Sequence, residues 1–190
     1  MRKFVFLMAF IIGVVASQIS MSNMVFAAIS NQKIAAVIIS EDSDFKDKRF
    51  TDMVKETFEK NNKKIQILSG SVPQDKYTNY WSEKNLDTLE EPMPTKSDLI
   101  DFVSYGGYGK VIYFIIKNND ITTTGYGGVY GGTVTRVSVK VSAYLVNREK
   151  IIKTSTFTRE DSSHVHINSM KFFAFKKYVK DFSKEISSLL

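Results

Sequence analysis

Two stretches of the chain are apolar without alternation: Ile34-Ala35-Ala36-Val37-Ile38-Ile39, closed by Ser40, and Val111-Ile112-Tyr113-Phe114-Ile115-Ile116. A strand with one face in water alternates apolar and polar residues with period two. These two do not, so each is read as a strand covered on both faces, at an inner position of a sheet with helices packed on it.

The cover is legible around them. Phe50, Met53, Val54 and Phe58 recur at helical spacing and predict a helix over 46–60, stopped by Asn61-Asn62, with a second strand over 64–69. Thr95-Lys96-Ser97-Asp98 has the pattern of a capping box. Leu99, Phe102 and Val103 form the stripe of the helix it opens, and Gly106-Gly107 its end. Val137, Val139, Val141, Ala143 and Leu145 alternate with Arg136, Ser138, Lys140, Ser142 and Tyr144, which predicts an antiparallel strand with one wet face. A turn at 147–150 leads into 151–158 and completes a hairpin. Phe172, Phe175, Val179, Phe182, Ile186 and Leu189 mark a C-terminal helix of about 20 residues, docked on the sheet or on a partner. The expected fold is a single α/β domain over 28–190, with a mixed sheet in the order β-α-β-α-β-β-β-α and helices packed on it.

The first 27 residues have a different character. Arg2 and Lys3 precede an apolar run over 4–16, and Val25-Phe26-Ala27 follow a polar stretch. That order reads as a secretory signal peptide cleaved after Ala27, and the run is shorter than the roughly 18 residues that span a bilayer. A retained anchor is the rival reading. The chain has no cysteine. An exported chain would then fold without disulfides, carry no acylated cysteine and use no thiolate chemistry. The expected location is periplasmic or secreted, with no membrane span after cleavage. The formal charge of +6 includes Arg2 and Lys3, and the other lysines are scattered along the sequence. Nucleic acid is not the expected partner, because its footprint is clustered Arg and Lys.

Few residues point to chemistry. His164-Val165-His166 would put two imidazoles on one side of an extended segment, with Glu160 or Asp161 as a third metal ligand. The bland reading is a pair of exposed connector histidines. Glu41, Asp42 and Asp44 follow a buried strand, where open α/β sheets bind ligands, and could hold Mg²⁺ or Ca²⁺. The alternative is a solvated loop. Gly125-Tyr126-Gly127-Gly128-Val129-Tyr130-Gly131-Gly132 leads into a strand and lacks the Lys-Ser/Thr of a phosphate loop, so it reads as a hairpin connection with Tyr126 and Tyr130 as contacts. No Gly-x-Ser-x-Gly elbow accompanies Ser162 or Ser163. Residues 70–94 hold three prolines and read as a long loop carrying Tyr77, Tyr80 and Trp81. These aromatics either anchor an interface or fold back over a sheet edge.

The opening strand at 33–40, the passage Asp98-Leu99-Ile100-Asp101-Phe102-Val103 with Gly109-Lys110-Val111-Ile112-Tyr113, and the paired strands of 137–146 and 151–161 resemble one extracytoplasmic α/β domain. It is shared by CsgG-like curli secretion proteins, TolB N-terminal domains and LpoB-like activators of peptidoglycan synthases. The resemblance implies a domain for binding and assembly in the bacterial cell envelope, without chemistry of its own. Two departures stand out: the acylated cysteine of those lipoproteins is missing, and 118–135 is too short for the hairpins of a secretion pore. The expected function is an exported, non-enzymatic binding module with no cofactor, whose partner is an envelope protein or a second copy. The alternatives are a secreted metal-dependent hydrolase using His164 and His166, and a self-assembling structural protein.

Overall fold

The computed structural model describes residues 33–62, 65–85, 93–125, 133–163 and 166–190. Strand β1 (Ile34–Ser40) runs parallel to β2 (Ile67–Leu68) on one side and to β3 (Lys110–Gly125) on the other. Antiparallel pairing then adds β4 (Thr133–Asn147) and β5 (Ile151–Ser163), giving a five-stranded mixed sheet in the order β2-β1-β3-β4-β5. The helices are α1 (Lys48–Asn61), α2 (Ser71–Lys84), α3 (Lys96–Tyr105) and α4 (Ile167–Glu185), with a 3-10 turn at Ser43–Lys46 before α1.

Both faces of the sheet are covered, for the reason the unalternating strands require. On one face Phe50, Val54 and Phe58 of α1 and Phe175, Val179 and Phe182 of α4 pack on Ile38, Ile112, Phe114 and Val141. On the other, Tyr77 and Tyr80 of α2 and Leu99, Phe102 and Val103 of α3 pack on Val37, Val111, Tyr113 and Ile115. The aromatic stripe of α4 is therefore spent inside the fold: Phe175, Val179, Phe182 and Ile186 are fully buried.

The α/β class and the mixed sheet are as the sequence predicts, and so is the capping box, in which Thr95 and Asp98 satisfy each other's backbone N–H. Three details differ. Residues 71–84 form helix α2 instead of a loop, so the order is β-α-β-α-α-β-β-β-α. Strand β3 continues past Ile116 to Gly125 through a register shift, because Ile121 and Thr122–Thr124 are β-branched and extend the pairing with β4. Strand β2 pairs over two residues only.

Candidate functional site

From its carboxyl end β1 leads into α1 on one face of the sheet, while its parallel neighbour β2 leads from its carboxyl end into α2 on the opposite face. The connections part at the carboxyl end of β1, and such a switch point leaves a crevice in open α/β sheets. A groove of about 520 Å³ lies there. Its floor and near wall come from Ile38, Ile39 and Ser40, and its far wall from Gln74, Tyr77, Thr78 and Trp81 of α2. Met93 and Pro94 close one end, and Lys46 and Glu41 stand at the rim. A second depression of about 460 Å³, lined by Glu41, Asp42 and Asp120, shares Ser40 and Glu41 with it.

Helix α2 is held over β1 by an amide. The Ile38 N–H donates to Gln74 Oε1 at 3.2 Å, and Gln74 Nε2 donates to the Ile38 carbonyl at 2.9 Å. Strand β2 is too short to reach Ile38, so this side chain supplies the pairing that a longer strand would give.

Tyr77, Tyr80 and Trp81 have separate positions. Tyr77 is buried between Phe102 and Tyr113, with ring centroids 5.2 and 6.3 Å away. Its hydroxyl has no hydrogen-bond partner among the described residues. Burial, with the charge of Asp98 and the neighbouring Tyr80 adding, pushes its pKa well above the ordinary tyrosine value and keeps it protonated. Tyr80 is also buried and donates to the Asp98 carbonyl at 3.3 Å. Trp81 is half-buried and lies parallel to Tyr77, at 9° and 6.2 Å between centroids, with its flank in the groove. The loop expected to carry all three is a helix: Tyr77, Tyr80, Trp81 and Lys84 follow i, i+3, i+4, i+7 spacing, and Pro73 falls in the first turn, where a missing N–H costs nothing. That spacing was the available signal, masked by the prolines. Tyr126 and Tyr130 lie outside the described residues, as does His164.

The acidic turn after β1 has an internal cation. Lys171 of α4 reaches across and donates to Asp42 Oδ2 at 2.6 Å and Asp44 Oδ2 at 2.8 Å. Its side chain is only 9% exposed. Burial by itself would lower the Lys171 pKa, but the two carboxylates outweigh it and raise it, so the ammonium persists. Asp42 and Asp44, two of the three acids expected as Mg²⁺ or Ca²⁺ ligands, therefore bind a lysine, while Glu41 is exposed beside the groove. His166 is exposed at the N-cap of α4, and Glu160 pairs with Arg136 at 3.8 Å. Among the described residues, no group of three or more His, Cys, Asp or Glu side chains could hold a metal ion. None of the described helices is long and apolar enough to cross a membrane.

No protein-family model matches the chain, and no curated protein matches it by sequence. Solved structures do. The minor lipoprotein of Acinetobacter baumannii is 11% identical over 83% of this chain and 91% of its own, with a TM-score of 0.32. Lipoprotein GNA1162 of Neisseria meningitidis is 11% identical over 80% and 98%, with a TM-score of 0.43. Rare lipoprotein B of Shewanella oneidensis is 8% identical over 81% and 91%, with a TM-score of 0.28. All three are bacterial lipoproteins by name, and at such identities no function carries across.

Proposed function

We propose that this chain is an exported, non-enzymatic binding module of the bacterial cell envelope, and that the groove at the end of β1 receives a partner. The observation that carries this reading is Trp81, a half-buried aromatic braced flat on a buried tyrosine at an open, mixed apolar and polar crevice. A pre-positioned aromatic loses little entropy on binding and offers a large contact area, the properties of an interface anchor. Export rests on the leader pattern of residues 1–27, and an envelope role on the resemblance of residues 33–40, 98–113 and 137–161 to curli-secretion, TolB and LpoB-like domains. Tyr77 and Tyr80 act here as supports for Trp81. Tyr126 and Tyr130 remain part of the proposal as contacts.

A photo-crosslinker at exposed Ser82, on the groove wall, tests it in the native envelope. It should capture one protein that a crosslinker at exposed Glu149 does not. Trp81→Ala should weaken that capture by about thirtyfold or more, as loss of an anchor of 2 kcal/mol does. Ser82→Arg, which fills the groove without touching the core, should do the same while the melting temperature holds. Capture unchanged in both variants would overturn the assignment.

A further inference from the structure

Helix α4 turns its buried stripe to the sheet and leaves Phe173, Lys176, Lys177, Lys180 and Lys184 exposed. At 3.6 residues per turn these five fall within an arc roughly 100° wide. The scattered lysines of the sequence thus become a line of four charges with an aromatic at one end. Phe173 is 51% exposed. The acids of the same helix stand on its flank and are matched by β5, Asp181 by Arg159 at 2.8 Å and Glu185 by Lys153 at 2.7 Å. On the other flank the Arg49 guanidinium lies 4.9 Å from the Phe172 ring centroid. Asp52 and Glu56 of α1 are the acids on that side.

We propose that this face of α4 docks on a membrane surface of anionic phospholipid. The occupant follows from charge and from the type of cation. Lysines are depleted at protein–protein interfaces, where arginine is enriched, and the stripe holds lysines and no arginine. The ammonium is a flexible, strongly hydrated point charge, which acts on a mobile anionic surface through its field and needs no fixed hydrogen-bonding geometry. Phe173 then lies among the headgroups, as aromatics of interfacial helices do. A lysine near an anionic surface contributes about fivefold in partition, so Lys176, Lys180 and Lys184 together amount to roughly a hundredfold at low salt. Helix α2 and its groove lie on the opposite face of the sheet, so docking through α4 leaves Trp81 open and the two proposals fail independently.

The test is sedimentation with vesicles of phosphatidylcholine alone or with one quarter phosphatidylglycerol. The full chain is used, and its leader is common to every variant. Binding to the anionic vesicles should exceed binding to neutral ones and fall steeply with added salt. Changing Lys176, Lys180 and Lys184 together to Gln should reduce the anionic component about a hundredfold, and Phe173→Ala should reduce it severalfold with the salt dependence kept. Changing exposed Lys117, Lys140 and Lys150 to Gln removes the same charge elsewhere and should leave binding at wild-type level. Equal binding by the two triple variants would overturn the proposal. So would vesicle binding indifferent to lipid charge, or loss of a crosslinked acidic protein in the Lys176/Lys180/Lys184 variant with no change on vesicles.

Discussion

The Gln74 amide closes an edge that the short β2 leaves open, and its two bonds to Ile38 also fix α2 over the groove. Gln74→Leu keeps most of the side-chain volume and removes both bonds. Leaving the Ile38 backbone groups unpaired should cost about 1–3 kcal/mol, measured by urea unfolding. In the sequence Gln74 is one polar residue after Pro73, and nothing there marks its partner 36 positions away. Lys171 is similar. It occupies a C-terminal helix read for its apolar stripe, and it meets Asp42 across 129 residues. The acids were legible as a cluster, readable either as a cation site or as a solvated loop. Which cation is decided by how closely α4 packs on the end of β1.

At the level of elements, α2 is the chief difference between expectation and structure. Its spacing is helical, but Pro73 and its polar residues resemble a loop, and the burial of Tyr77 and Tyr80 under α3 is a tertiary fact. Asp98 joins the two helices. It caps α3 with Thr95 and pairs with Lys84 of α2. Burial alone would raise its pKa, but the hydrogen bonds from Lys84 and Thr95 outweigh that and hold the carboxyl below its usual range. A lowered folded-state pKa means the contribution is fully present above the unfolded value and is lost as pH falls through the folded one. Asp98→Asn should therefore lower stability at neutral pH and flatten the acid limb of the profile, as followed by circular dichroism. An acid limb identical to wild type would deny Asp98 that role. The capping box itself was readable because its bonds run between residues three apart.

For the whole molecule, Phe114 tests the architecture. It is fully buried on β3 between Phe58 of α1 and Phe175 and Phe182 of α4. Phe114→Ala should cost about 3–5 kcal/mol by chemical denaturation, the cost of a large core cavity. The leader is tested separately: protein recovered from outside the cytoplasm should begin at Ala28 by N-terminal sequencing, whereas a start at Met1 in the membrane fraction would mean a retained anchor. By itself the sequence determined the mixed-sheet α/β class, the capping box of α3, the antiparallel hairpin and the apolar face of α4, because each rests on periodicity or on bonds between near neighbours in the chain. Only the tertiary structure decided that Tyr77 and Tyr80 are core while Trp81 faces a groove, that Lys171 answers the acidic turn, and that the exposed lysines of α4 form one face. Those outcomes depend on which surfaces meet when the helices close on the sheet, and contacts between distant residues leave no local period to read.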